Sequence, residues 1–387
     1  MTSYLDYAAT APIRTEVIDS YAQDLRLLSQ NPGNPNALHA AGRAAREMLE
    51  DARKRVADSL GADAAEVVFT SGATESNSLT VLGALKAAEE AGQTPVFLTD
   101  GLEHPAIAKL GDRCRENGGQ VLIAKVDELG LIDTADVERL CSENQVSVAA
   151  FMAVSNEVGT IQPVKELAEI AHRHGVKHVH CDAAQAVGHI EVDFHEWGVE
   201  SLAFSGHKIG APGGIGVLLI KRAIAVVSDR IGGGQERSLR SGTQNVAGAR
   251  ALASALEIAD ATRAEETSLM LQLRAQLIAG LDPRATVTKV GQTSPHIVHL
   301  TLPTEHPEVI LMMMDQAGVA VSAASACAAG VPRPSAALLA MGRSEAEAMG
   351  ALRVSLGWDS TSEDIAAFLA ALGSALDAAA RFEKGRN

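Results

Sequence analysis

Two short apolar runs in this chain end in side chains that could do chemistry together. Ser201-Leu-Ala-Phe-Ser-Gly-His-Lys208 ends in an amine, and Val179-His-Cys-Asp182 ends in a carboxylate. Each run has strand length and breaks abruptly into polar residues, as a buried parallel strand does when it delivers side chains at its carboxyl end. A lysine amine can hold an aldehyde cofactor as a Schiff base. An aspartate can keep a pyridine nitrogen protonated so that the ring withdraws electrons, and pyridoxal phosphate needs both. Taken singly, Lys208 reads as a solvated loop lysine and Asp182 as a helix cap, so the surrounding elements must decide.

The sequence between Asp182 and Lys208 has room for one crossover helix and the next strand of a right-handed βαβ unit, which puts both groups over one pocket. Gln185, one turn after Asp182, could reach the same ligand. Upstream, Glu66 to Thr70 reads as a strand, and Ser71-Gly-Ala-Thr-Glu-Ser-Asn77 as a tight turn opening a helix to about Ala91. Free N–H groups and the helix dipole make such a turn an anion cradle fit for a phosphate. Plain N-capping explains Ser71 and Thr74 equally well. A strand over Pro95 to Thr99 leads into Gly101-Leu-Glu-His-Pro105, where His104 would lie beside the same sheet edge and could stack on a flat ring; as a lone histidine it also reads as structural. Strands at Gln120 to Ala124 and Val146 to Val154 continue the alternation, the latter delivering Asn156. Ile215 to Ile220 is a further strand, and Ile231 to Thr243 a glycine-rich loop that could close over a phosphate or meet a second subunit. Asn31 to Asn36 is dense in turn formers, leaving Asn34 as either loop punctuation or a ligand amide. His39 to Leu60 is an amphipathic helix ending at Gly61.

The 387 residues exceed what one core usually supports, so two domains are expected. A net charge of −15 and a pI near 5.3 argue against nucleic acid and anionic membranes, which demand a basic face. No leader is evident near Met1 and no apolar run reads as a membrane span, so a cytoplasmic protein is expected. The four cysteines, Cys114, Cys141, Cys181 and Cys327, are too scattered for a disulfide frame or a C-x-x-C metal site. His172, His174, His178 and His180 resemble a metal cluster, but no carboxylate or thiolate completes a ligand spacing, and surface or supporting histidines are the expectation. A helical stretch from Ala247 to Ile278 precedes separate strands at His296 to Leu302, Val319 to Ser322 and Ala351 to Leu356, with a helix from Ser362 to Glu383. In Ser322-Ala-Ala-Ser-Ala-Cys327-Ala-Ala-Gly330 a thiol sits amid small residues after a strand, where a travelling nucleophile would be placed, unless it is simply a small buried hydrophobe.

In order, Tyr4-Leu-Asp-Tyr-Ala-Ala-Thr10, Gly33-Asn-Pro35, Thr70-Ser-Gly-Ala-Thr-Glu-Ser76, Glu103-His104, Asn156-Glu-Val-Gly159, His180-Cys-Asp-Ala-Ala-Gln185, Phe204-Ser-Gly-His-Lys208, Arg240-Ser-Gly-Thr243, Ser325-Ala-Cys327 and Arg353-Val-Ser-Leu-Gly357 span nearly the whole chain. This series resembles the cysteine desulfurases of the NifS/IscS kind, fold-type-I pyridoxal phosphate enzymes related to class V aminotransferases. The resemblance implies an α/β fold with a large, mainly parallel sheet of the seven-stranded type over residues 15–255. An N-terminal arm over 1–14 would pack with a smaller α+β C-terminal domain over 256–387 that carries a mobile cysteine loop.

By the same resemblance Lys208 would carry the cofactor, Asp182 would pair with its ring nitrogen, His104 would stack on the ring and Gln185 would contact its phenolic oxygen. Ala73, Thr74, Ser205 and His207 would hold the phosphate, with Thr243 coming from the other subunit of a homodimer. Asn156, also a cofactor contact, and Arg353 would bind the substrate carboxylate, Asn34 would be a further substrate contact, and Cys327 would take the sulfur of L-cysteine as a persulfide and pass it to an iron–sulfur scaffold or thiolation protein. The chain departs from the pattern at Ala323-Ala324, where Ser-Gly is usual, at Gly213, where lysine is common, and at Trp358, where arginine is common. A selenocysteine lyase or another lyase or aminotransferase of the same fold is the alternative, and an idle scaffold subunit a second.

Overall fold

The computed structural model describes residues 2–323 and 333–384. Cys327, with Ala324 and the rest of its loop, lies outside the described residues. The dominant element is a seven-stranded sheet that runs edge to edge through Val67–Thr70, Gly216–Ile220, Ser201–Ser205, Val179–Asp182, Val148–Met152, Val96–Asp100 and Gln120–Ala124. Gly216–Ile220 alone runs against the others. Every residue of six of these strands is buried, while the edge strand Gln120–Ala124 is largely open. Helices on both faces explain why the inner strands read as unbroken apolar runs instead of alternating ones.

Val179–Asp182 and Ser201–Ser205 are adjacent and parallel, with Asp182 opposite Ala203. The connection between them differs from the crossover helix expected. It is mostly turns, with one short helix, Phe194–Trp197, closed by left-handed Gly198. Both Gly188, at φ +82, and Gly198, at φ +74, adopt backbone that side-chain-bearing residues avoid, and this lets the chain double back quickly.

The 34-residue helix Val246–Ala279 crosses the expected domain boundary without a break. Its first half buries Leu252 and Leu256 in the core under the large sheet, and its second half buries Met270, Leu273 and Leu277 in a separate C-terminal core. That second core lies against an antiparallel sheet ordered Ser322–Ala323, Ala351–Ser355, Ile297–Thr301, Thr286–Val287. The expected single strand over Val319 to Ser322 is split. Val319–Ala320 pairs instead with Ser3–Tyr4, which ties the N-terminal arm to the C-terminal core and buries Leu5 there.

Among the described residues one helix, Ser362–Lys384, is long and apolar enough to cross a membrane, because alanine raises its mean hydropathy. Its Ile365, Phe368, Leu372 and Leu376 are buried in the C-terminal core, as in any amphipathic core helix. The glycine-rich loop is pinned and not free. Glu236 is buried, accepts from Arg53 Nη1 and Nη2 at 2.8 Å each and from Phe69 N–H at 2.9 Å, and sits in a run of three residues with positive φ.

Candidate active site

The carboxyl edges of the two central strands meet in a cavity of about 220 Å³ lined by Asp182 and Lys208, the latter on a single 3-10 turn, Gly206–Lys208, directly after its strand. Ala73, Thr74, His104, Asn156, Gln185, Ser205 and His207 line the same cavity. Arg353 lines an adjoining cavity of about 720 Å³ that shares His104, Asn156, Gln185 and Lys208 with the first. A third opening of about 760 Å³, beside Arg284 and Thr304 on the small sheet, contains none of these residues. Asn34 and Thr243 do not line the cavity of their own chain. Both are exposed, and the Asn34 amide oxygen accepts from Asn36 N–H at 2.9 Å, which makes it a turn residue.

Lys208 Nζ donates to the carbonyls of Ala8 and Ala9 in the N-terminal arm. Burial, seconded by the nearby charge of Arg353, lowers its pKa to about 8 against the pull of Asp6 and Asp182. An amine of that pKa is about one-tenth neutral at pH 7, against roughly one part in three thousand for an ordinary lysine. His104 caps the helix Pro105–Glu116, its Nδ1 accepting from Ala106 N–H at 3.1 Å, so a neutral ring carries its proton on Nε2. Burial of its inner face, with Lys208 and Arg353, holds its pKa below the usual histidine value despite Asp182. His207 is pushed down to about 4 by burial and then by Lys208.

Pyridoxal phosphate fits this donor set on three counts. The Asp182 carboxylate accepts from Asn77 Nδ2 at 2.6 Å and Ala184 N–H at 3.0 Å, which leaves acceptor capacity for a ring N–H. The helix Ala73–Glu90 starts at Gly72 with no side chain of that residue to cap it, and its Ala73 N–H donates to Ser205 Oγ at 2.7 Å, which leaves the Ser205 hydroxyl hydrogen and the positive helix end to an anion. The approach is close: a Cβ on Gly216 would lie 2.5 Å from Gly72 Cα. Third, the shifted Lys208 amine lines the same cavity.

Arg353 donates from Nη1 to Asn156 O at 2.8 Å and from Nη2 to Asp6 Oδ1 at 3.0 Å, while its buried Nε has no partner among the described residues. The guanidinium lines the adjoining cavity, and its planar charge suits an incoming carboxylate. The Gln185 amide is already oriented, donating to Ala8 O at 2.9 Å with its Oε1 3.1 Å from His296 Nε2. Two acids near the site are pushed up to about 7 by burial, Asp100 and Glu157, and Glu103 is pushed well above the usual carboxylate range by burial and by Asp100 and Asp182.

Sequence reasoning missed two contributors. Asp6 comes from the arm to hold Arg353, and Asn77 holds Asp182 from inside a helix. A fully buried asparagine beyond the first turn of a helix is a poor helix former with no capping task, and that mismatch was its signal. The four histidines are dispersed. His172 pairs with Glu200 and His174 with Glu138, while His178 and His180 both meet Ser201 Oγ.

A mainly parallel seven-stranded sheet with a lysine and an aspartate at its carboxyl edge defines the fold-type-I class. The chain matches the aminotransferase class-V family over residues 3–368 and belongs to it. It is 37% identical over 387 residues to the IscS-like cysteine desulfurase of Mycobacterium tuberculosis, covering 98% of this chain and 97% of that protein. Among solved structures it resembles a NifS-like protein with a TM-score of 0.89 at 31% identity, over 97% of this chain and 100% of that one. It also resembles SspA in complex with cysteine, with a TM-score of 0.80 at 28% identity, over 92% of this chain and 99% of that one.

Proposed function

We propose that this chain is a cytoplasmic, pyridoxal phosphate-dependent cysteine desulfurase that converts L-cysteine to L-alanine and hands the sulfur to an acceptor protein of iron–sulfur assembly or thiolation. The observation that carries this reading is the meeting of a pKa-lowered Lys208 amine and the Asp182 carboxylate in one cavity, with the Arg353 guanidinium on the adjoining one. The relatives named as cysteine desulfurase and the neighbour solved with cysteine support the substrate.

When bound, pyridoxal phosphate supplies an electron sink conjugated with the substrate's α-carbon. Lys208 would hold it by its amine and, once free, would carry a proton at Nζ from Cα, with His104 as the other proton carrier and the cover of the ring face. Asp182 would hold the ring N–H, while Ala73, Thr74, Ser205 and His207 would hold the phosphate. Arg353 and Asn156 orient the substrate carboxylate. The Cys327 thiolate attacks the substrate sulfur, the carbon–sulfur bond breaks with its electron pair to carbon, carbon takes a proton, and Cys327 keeps the sulfur as a persulfide. In a homodimer the exposed Thr243 would serve the site of the second copy.

The test is to supply pyridoxal phosphate and L-cysteine and to assay sulfide and alanine together with a reductant. Equal yields are expected, and Cys327→Ala should stay yellow while releasing no sulfide. Sulfide release unchanged in that variant, or amino-group transfer without sulfide, would overturn the proposal.

A further inference from the structure

A buried hydrogen-bonded chain leads away from the cavity behind Asp182. Asn77 Nδ2 lies 2.6 Å from Asp182 Oδ2, Asn77 Oδ1 lies 2.8 Å from His180 Nε2, and His180 Nδ1 lies 2.8 Å from Ser201 Oγ. Ser201 Oγ in turn lies 2.7 Å from His178 Nε2 and 3.2 Å from Thr80 Oγ1. Asn77, His180, Ser201 and Thr80 are wholly buried and His178 nearly so, so water cannot stand in for any of these partners. Neither the fold nor the proposed chemistry so far accounts for a polar row through the middle of the sheet.

We propose that Asn77, His180, Ser201 and His178 form a one-way hydrogen-bond relay that aims the Asp182 carboxylate at the cofactor's ring nitrogen. It rests on reading Asp182 as that nitrogen's partner. The direction follows from the groups themselves. A carboxylate only accepts, so the amide NH₂ of Asn77 faces Asp182 and its carbonyl oxygen faces His180. His180 must then carry its proton on Nε2 and accept at Nδ1 from the Ser201 hydroxyl, whose oxygen accepts from His178 Nε2–H. Every donor points toward Asp182. The reverse direction needs a proton on Asp182 and ends with His178 Nδ1–H buried, and His178 Nδ1 has no partner among the described residues. That arrangement leaves a donor unsatisfied and removes the anion that a ring N–H requires. Burial holds both histidines below their ordinary pKa, His178 at about 4 and His180 well below the usual histidine value, so neither supplies a stray charge. Asn77 and His180 are thus positioning residues that act through Asp182.

The first test is the ¹⁵N spectrum of histidine-labelled full-length protein without added cofactor, with His180 assigned from the signals lost in His180→Gln. The expected result is a neutral ring protonated on Nε2 between about pH 5.5 and 8.5; an Nδ1–H ring or a titrating one would overturn the relay. The second is equilibrium titration with pyridoxal phosphate. His180→Leu should weaken binding about tenfold or more, the scale of a disrupted hydrogen bond to a charged group. His180→Gln, which can still donate to Asn77 Oδ1, should recover most of it. With ring-¹⁵N cofactor, the nitrogen signal should leave the protonated range in His180→Leu and return in His180→Gln, a shift that packing damage alone would not reverse. Equal affinity and nitrogen shift in all three proteins would sink the relay alone, whereas failure of the unaltered chain to bind pyridoxal phosphate would sink the reading of Asp182 itself. If His180→Leu does not fold, the tautomer measurement still decides.

Discussion

Lys208 and Arg353 are the residues whose behaviour depends most on where they stand. Cofactor capture requires a neutral amine, and the neutral fraction of Lys208 grows as pH rises through its lowered value of about 8. The rate of yellow-colour formation from pyridoxal phosphate should therefore climb between pH 7 and 9 and then level off. A rate still climbing steeply at pH 10 would mean an ordinary lysine. Arg353 offers a planar fork whose two ends are already fixed on Asn156 O and Asp6. Arg353→Lys cannot reproduce that fork, and KM for L-cysteine should rise about 10- to 100-fold. The affinity for pyridoxal phosphate should change little, which separates substrate binding from cofactor binding.

At the scale of elements, the loop at 231–243 carries the clearest lesson. Its glycines and serines describe a free segment, and they are correct about the backbone freedom it needs. They are silent about Glu236, whose carboxylate is held by Arg53 from the helix Ala40–Ser59 and by the Phe69 N–H of the edge strand. Breaking a buried pair strands the remaining charge, so Arg53→Met should cost about 3–5 kcal/mol in urea unfolding. A loss near the value for exposed pairs, about 1 kcal/mol or less, would show that Glu236 finds water instead. The strands of the large sheet were legible, because buried strands are apolar runs, whereas the crossover helix expected between Asp182 and Lys208 is mostly turns. The split of residues 319–323 between two sheets was not legible, since one apolar run cannot say which neighbour each of its halves will meet.

At the scale of the whole molecule, the first residues join the site to the C-terminal core. Leu5 is wholly buried in that core, Ala8 N–H donates to Ser355 Oγ at 2.9 Å, and the Ala8 and Ala9 carbonyls hold Lys208. Leu5→Ala should destabilise the chain by about 2–5 kcal/mol, read as a lowered unfolding midpoint. A change under about 0.5 kcal/mol, as for a surface position, would mean that the arm packs only loosely. The helix Val246–Ala279 works in the same direction, since it supplies side chains to both cores without interruption.

By itself the sequence determined which groups are present and at which strand ends they emerge: Asp182 after one apolar run, Lys208 after another, a glycine turn opening a helix at Ala73, and an imidazole at His104. Those are local properties, set by burial pattern and turn chemistry within a few residues. Only the tertiary structure decided which distant groups meet them, such as Asn77 and His180 behind Asp182, Asp6 on Arg353 and Arg53 on Glu236. Each of these contacts joins separate elements, and a hydrogen bond's choice of partner depends on three-dimensional proximity that spacing along the chain does not encode.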